Sequence, residues 1–333
     1  MCKITMKDIA RKANVSKSTV SRALGDDPRV NEKTRKKIKM IAKKMNYQPH
    51  KAAKALACQN TNIIGVVFPT FPRSVADPFF LEFLQGIGEI AVNNSYSLTL
   101  YNNKNKEENK LKMLFHRHNV DGIILTEPKI NDTRIDYLKN VDIPYVFLGN
   151  PMKDKKINWV ETDNQLGAYQ AVSYLIESGH RSIATITGSL DLVAGQYRLQ
   201  GYKNALSDSG INYNKRLIVN ADFTQESAYK AAKKLIKTES KFSAIFAAND
   251  LMALGVIKAL KDEGISIPDD IAVMGYDGIK IGEFVEPPLT TIYQSGNKMG
   301  QIAINLLLQL IRKEKVKENH VLLPPELIIR GSA

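Results

Sequence analysis

Thr5-Met6-Lys7-Asp8-Ile9-Ala10-Arg11-Lys12-Ala13-Asn14-Val15-Ser16-Lys17-Ser18-Thr19-Val20-Ser21-Arg22 reads as two short helices joined by a tight turn. Thr5 and Asp8 form a T-x-x-D capping box at the first helix, whose apolar face is Ile9, Ala10 and Ala13. Asn14-Val15-Ser16 makes the turn, with Val15 as its inward plug. Ser16 caps a second helix, Lys17 to Leu24, which Gly25 stops. Val20, Ala23 and Leu24 face inward, which leaves Lys17, Ser18, Ser21 and Arg22 outward near the start of that helix. Asn31 caps a third helix with Ile38, Ile41, Ala42 and Met45 on its core face.

This arrangement is a helix-turn-helix, in which the second helix enters the major groove by its N-terminal residues. Arg22 has the fork geometry for guanine, and Lys17 and Ser18 reach neighbouring bases. Thr5, Thr19, Ser21, Asn31 and Thr34 are short polar groups at helix starts, suited to phosphates. After Tyr47, the run Pro49-His50-Lys51-Ala52-Ala53-Lys54-Ala55-Leu56 favours a helix but is too short and too weakly apolar to hold alone in water. Docked against a second copy, it would place Leu56 as a minor-groove wedge.

Charge agrees. The chain carries 47 Lys/Arg and 34 Asp/Glu; residues 1–60 hold 16 of the bases and four of the acids, which leaves 31 and 30 for the remainder. Nearly the whole +13 excess therefore sits in one end of the chain, the footprint of phosphate-backbone binding. At 333 residues and 44 % hydrophobic content the chain can build two or three domains. The start of the chain has no signal-peptide pattern and no stretch is long and apolar enough to span a membrane. Two cysteines, Cys2 and Cys58, make neither a disulfide framework nor a metal site. A cytoplasmic location is expected, with no metal and no cofactor beyond a small effector.

From residue 61, short apolar runs alternate with helix-length amphipathic stretches. The strands read Ile63–Phe68, Ser97–Tyr101, Gly122–Leu125, Tyr145–Leu148, Ser182–Thr187, Ala244–Ala247 and Ile271–Tyr276. Helices such as Phe79–Asn93, Gln165–Ser178, Thr224–Thr238 and Leu251–Glu263 fit between them. That alternation predicts parallel α/β sheets with crossover helices on both faces, too many strands for one sheet and hence two lobes. Ligands in such sheets bind beyond the carboxyl ends of the strands, where Asp77-Pro78-Phe79-Phe80, Thr126-Glu127, Asp163-Asn164, Asn249-Asp250 and Asp277 cluster. Glycine-rich phosphate loops, nucleophile elbows and metal-spaced clusters are missing from the sequence, so an enzyme is not expected.

The pattern Thr5…Asp8-Ile9-Ala10…Ala13-Asn14-Val15-Ser16…Thr19-Val20-Ser21-Arg22-Ala23-Leu24, Val30…Thr34-Arg35 and Tyr47-Gln48-Pro49…Ala53…Leu56 resembles the head piece of the lac-repressor (LacI/GalR) family. His50 and Lys54 depart from the Asn and Arg common there. The resemblance continues through Gly179-His180-Arg181, Arg198…Gly201-Tyr202, Ala248-Asn249-Asp250, Gly275-Tyr276-Asp277 and Pro288-Leu289-Thr290-Thr291-Ile292. It implies an all-α helix-turn-helix head piece at 1–48, a hinge helix and linker at 49–60, and a two-lobed effector-binding and dimerisation domain like periplasmic sugar-binding proteins at 61–333. The lobes would divide near 61–162 plus 292–323 and 163–291 plus 324–333. It adds Ser16, Tyr47, His50, Ala53 and Leu56 to the DNA-contacting set.

For the effector, the resemblance implies Phe79, Thr126, Asp163, Arg198, Phe223, Asn249 and Asp277 as pocket residues. Carboxylates, amides and a guanidinium suit sugar hydroxyls, and an aromatic ring suits the apolar sugar face. The stretch Val75-Ala76-Asp77-Pro78-Phe79-Phe80 and the triplet Thr162-Asp163-Asn164 look similar to maltose-operon repressors. The expectation is a homodimeric repressor on double-stranded operator DNA, released by maltose or another α-glucoside. The alternatives are a catabolite-control-type regulator activated by a phosphorylated carrier protein and a corepressor-dependent regulator. No heptad tail for tetramerisation follows Arg330.

Overall fold

The computed structural model describes residues 4–45, 47, 61–68, 77–102, 120–141, 143–152, 156–238 and 241–333. The hinge segment with His50, Ala53 and Leu56 lies outside them, as do Val75 and Ala76. The chain divides into two compact units, Met1–Thr61 and Asn62–Ala333.

In the first unit, α1 (Met6–Ala13), α2 (Lys17–Leu24) and α3 (Glu32–Lys44) enclose one small core of Ile9, Ala10, Ala13, Val20, Ala23, Val30, Ile38 and Ala42. The Asp8 carboxylate accepts from the Thr5 N–H at 2.9 Å and from its hydroxyl at 2.7 Å, which starts α1. Asn14 ends it in the left-handed region (φ 58°), a conformation that asparagine tolerates. The Ser16 hydroxyl accepts from the Thr19 N–H at 3.1 Å and opens α2, while Val15 is packed against the core as its half-buried plug. Asn31 caps α3 through the Lys33 N–H at 2.9 Å.

In the second unit the first sheet runs β11-β5-β4-β3-β1-β2, all parallel. Its strands are β1 (Ile63–Phe68), β2 (Ser97–Asn102), β3 (Gly122–Thr126), β4 (Tyr145–Leu148), β5 (Trp159–Thr162) and β11 (His320–Leu323). Against it lie α4 (Pro78–Asn93) and α10 (Gly296–Ile311) on one core, and α5 (Thr133–Leu138) on the other. The second sheet runs β12-β10-β9-β8-β6-β7, parallel except for the antiparallel pair β10 and β12. It comprises β6 (Ile183–Thr187), β7 (Ile218–Asn220), β8 (Ala244–Ala247), β9 (Ala272–Asp277), β10 (Thr290–Tyr293) and β12 (Glu326–Ile328). The helices α6 (Asn164–Glu177) and α7 (Val193–Asp208) cover one face, and α8 (Gln225–Ile236) and α9 (Asp250–Asp262) the other.

The chain thus passes between lobes after β5, after β10 and after β11. Ile292 pairs with Leu327 inside the second sheet, so the return to the first lobe follows Tyr293 rather than residue 292. Five of these strands, β5, β7, β10, β11 and β12, were not legible as apolar runs because they are short and three of them lie at sheet edges.

Helices α4 and α10 meet backbone to backbone. A Cβ on Gly86 would stand 2.0 Å from the Asn297 carbonyl oxygen, and one on Gly300 would stand 2.3 Å from that of Phe83. Only glycine permits this approach. Gly86→Ala is therefore expected to cost about 2 kcal/mol or more through forced separation of the two helices, read as a lowered urea midpoint of the full-length protein.

Candidate functional site

On α2, Lys17, Ser18, Ser21 and Arg22 are all exposed, as the helical spacing requires with Val20 and Ala23 buried. Thr5, Ser16 and Asn31 are exposed, and Thr19, Thr34 and Tyr47 half-buried. Apart from Tyr47, which follows the end of α3, the described candidates therefore fall at the openings of the three helices and on the outer face of α2. Ser16 also exchanges hydrogen bonds with the hydroxyls of Ser18 at 2.7 Å and Thr19 at 2.8 Å, so the second helix begins with three ordered hydroxyl groups.

Between the lobes lies a cleft lined by Phe79, Glu127, Leu148, Glu161, Asn164, Leu192, Arg198, Asp277, Gln294 and Met299, among others. The chain builds it at the carboxyl ends of strands: Glu161 on β5, Asp277 closing β9, Gln294 just after β10. Asp77 caps α4 by accepting from the Phe79 N–H at 3.1 Å, which sets Phe79 at the wall edge-on to Phe80.

A buried polar chain crosses the floor. The Asn164 amide donates to Glu161 Oε1 at 2.9 Å and to the Thr162 carbonyl at 3.2 Å. Its oxygen accepts from Arg198 Nε at 2.8 Å. Arg198 Nη1 donates to the Ala248 carbonyl at 2.5 Å and to Asp277 Oδ1 at 3.3 Å, and Gln294 donates to that same oxygen at 2.6 Å. The guanidinium stands 3.6 Å over the Tyr276 ring and 5.8 Å from that of Phe223. Glu161, Asn164, Arg198, Asp277 and Gln294 are each no more than 5 % exposed. Asp277 (φ 112°) and Glu127 (φ 48°) hold backbone conformations that side chains rarely adopt, a cost that packing around a site sustains.

Burial raises the Glu161 carboxyl to about 7, against the lowering effects of Asn164, the Asn150 N–H and Arg198. Asp250, fully buried beneath, is raised as well, first by burial and then by Asp277. Its oxygens accept from the Thr291 hydroxyl at 2.6 Å and the Ile279 N–H at 2.8 Å.

Of the seven residues expected from the sequence, Phe79, Arg198 and Asp277 line the cleft. Thr126 does not, because its hydroxyl is spent on the Val67 carbonyl at 3.0 Å inside the sheet. Asp163 caps α6 through the Leu166 N–H at 2.9 Å. Asn249 caps α9 through the Met252 N–H at 3.0 Å and donates to the Phe223 carbonyl. Phe223 is core, 1 % exposed, and supports Arg198 from behind. Glu161, Asn164, Gln294 and Met299 line the cleft as well. Glu161 and Gln294 escaped notice because β5 and β10 did; the rule about strand ends would have found them.

One rim of the cleft is latched. The Ile130 N–H donates to the Asp191 carbonyl at 2.9 Å and the Val193 N–H to the Pro128 carbonyl at 3.1 Å, an antiparallel bridge of Lys129 with Leu192 that joins the lobes. The loop carrying it is shaped by the buried Arg134–Asp132 pair. Arg134 donates to Asp132 at 2.6 and 2.9 Å, and also to the Thr126 and Glu127 carbonyls at 3.1 and 3.0 Å.

A DNA-reading head joined to a two-lobed binding domain defines a ligand-responsive regulator. The model of "Bacterial regulatory proteins, lacI family" matches residues 5–50 and that of "Periplasmic binding protein-like domain" residues 172–333. The chain is 33 % identical over 99 % of both lengths to catabolite control protein A of Priestia megaterium. It is 34 % identical to the transcriptional repressor CytR of Escherichia coli K12, covering 98 % of this chain and 96 % of that one. Among solved structures it is similar to the lac repressor dimer bound to operator and the anti-inducer ONPF (TM-score 0.88, 28 % identity, 99 % of each chain). It is also similar to a CelR–cellobiose complex (TM-score 0.78, 32 % identity, 99 % and 100 % covered). The chain belongs to the lacI family of bacterial transcriptional regulators. Among the described residues no helix is long and apolar enough to cross a membrane.

Two outcomes follow from the cleft. An acid whose folded pKa is raised to about 7 withdraws stability as pH climbs from its unfolded value, near 4.5, to about 7. Between pH 5 and 8 the wild type should lose about 2–3 kcal/mol relative to Glu161→Gln, read from urea midpoints; the comparison cancels the parallel trend from Asp250. At the latch, Val193→Pro deletes one cross-lobe donor at the first residue of α7, where proline is tolerated and the preceding Leu192 is already extended (φ −92°, ψ 140°). Hydrogen exchange at the Ile130 amide should rise about tenfold, but not in Val193→Ala, which keeps the donor.

Proposed function

We propose that this protein is a homodimeric repressor of a sugar-utilisation operon, held on operator DNA until a small neutral sugar fills the interlobe cleft. The observation that carries this reading is the floor chain Glu161–Asn164–Arg198–Asp277–Gln294, a row of hydroxyl-binding groups with Phe79 on the wall. The similar CelR structure holds cellobiose, which supports a sugar of glucoside type. Maltose, suggested by the Val75–Phe80 stretch and the Thr162-Asp163-Asn164 triplet, is the first sugar to try. A single recognition helix per copy reads too little sequence, so two copies on a two-fold site are required.

In this reading Lys17, Ser18 and Arg22 contact bases. Thr5, Ser16, Thr19, Ser21, Asn31, Thr34 and Tyr47 hold the backbone, and His50, Ala53 and Leu56 form the hinge that widens the minor groove. Ligand shifts the lobes only by its differential affinity for their two arrangements, and the hinges follow. The protein acts in the cytoplasm, where operator and sugar meet. The full-length likeness to catabolite control protein A supports a second reading, in which a phosphorylated carrier protein is the coeffector; co-purification of that carrier with the dimer separates the two.

Fluorescence anisotropy on a palindromic operator with a central CG step, at fixed salt, tests the first reading. Maltose or a related glucoside should release the DNA, and Leu56→Ala should weaken binding about tenfold or more. Equal operator affinity in that variant would remove the wedge from the mechanism.

A further inference from the structure

Among the described residues, charge around the cleft is one-sided. Glu127 from the loop after β3, Glu161 from β5 and Asp277 from β9 all line it. Glu82 on α4 and Asp163 at the cap of α6 stand close enough for each to feel one of these carboxyls, Glu82 that of Asp277 and Asp163 that of Glu161. Among the described lining residues the only cation is Arg198. Its charge is balanced by Asp277 at 3.3 Å, and its Nε and Nη1 are already bound to Asn164 and the Ala248 carbonyl. The remaining walls include Phe79, Leu148, Leu192 and Met299, which offer a desolvated anion nothing. Glu161 is the acid at this floor with no cation in its hydrogen-bonding shell among the described contacts: it is 4 % exposed and held by the Asn164 amide at 2.9 Å.

We propose that Glu161 is the selectivity residue of the cleft, admitting an uncharged hydroxyl-bearing ring and turning away phosphorylated or carboxylated versions of it. The proposal rests on the reading of this cleft as the effector site. Its physical basis is plain repulsion: a second negative charge about 6 Å away in this half-dry setting lowers affinity roughly a hundredfold. A hydroxyl, by contrast, either donates to the carboxylate or accepts from the neutral acid, so it fits both protonation states. Because the Glu161 carboxyl is raised to about 7, the exclusion of anions should be weaker at pH 6 and stronger at pH 8, with Asp277, Glu127, Asp163, Glu82 and Arg198 contributing a background that does not depend on residue 161.

The test uses the full-length protein on a fluorescent operator duplex. A small-molecule extract of bacterial cells is split on a strong anion exchanger into unretained and retained fractions, both brought to the same ionic strength. At pH 8 the unretained fraction should change operator anisotropy at a dilution about tenfold or more beyond that of the retained fraction. In Glu161→Gln, checked for folding by its urea midpoint, that preference should narrow about tenfold or more, and its pH dependence should shrink to the part set by the ligand's own phosphate and by the remaining acids. A response confined to the retained fraction overturns the proposal, and an unchanged preference in Glu161→Gln removes Glu161 as its cause. A response to neither fraction, with operator binding intact, sinks the effector reading underneath it instead.

Discussion

A guanidinium buried between two lobes stays charged only if acceptors surround it. Arg198 meets that demand with groups from several separate stretches of chain: Asn164 at the start of α6, Ala248 after β8 and Asp277 at the end of β9. Each acceptor is in turn fixed by another bond, Asn164 to Glu161 and Asp277 to Gln294. Removing one member of such a set leaves a buried charge uncompensated, which costs far more than the set is worth against an apolar replacement. Such a set therefore adds little to stability. The cleft floor is rigid because the arginine requires it to be.

That rigidity has a counterpart at the rim. The latch between Pro128–Ile130 and Asp191–Val193 consists of two backbone hydrogen bonds, each worth about 1 kcal/mol net. The loop beneath it is tied by the Arg134–Asp132 pair, which is as well buried as the floor. Strong local order and a weak closing contact together give a lobe-to-lobe contact that thermal energy can break without disturbing either side. Pro128 and Leu192 line the cleft as well as forming the latch, so whatever fills the cleft also touches the latch.

The head piece was legible almost residue by residue, because caps and turns are local: Thr5 with Asp8, Ser16 with the Thr19 N–H, and Asn14 in the left-handed turn each act within four positions. The alternation of the second unit likewise revealed its parallel sheets, since strands buried on both faces are plain apolar runs. What stayed hidden depended on distant pairing. β5, β10, β11 and β12 are three or four residues long and become strands only beside partners. With them went Glu161 and Gln294. Thr126, Asp163 and Asn249, polar residues expected at the ligand, also have structural tasks, tying the sheet and starting helices. A helix cap and a ligand contact draw on the same residue types, and only geometry separates them.

The three passages of the chain between lobes carry a consequence for how the protein is made. The first lobe is unfinished until α10 and β11 have been added, yet both follow all of the second lobe except β12 in order of synthesis. Phe83 and Ile87 of α4 share a core with Met299, Ile304 and Leu307 of α10, more than 200 positions later. An emerging chain must therefore hold an uncovered apolar helix and an open sheet edge while the second lobe forms. On the ribosome, the long wait for α10 is the interval in which this protein most needs a chaperone.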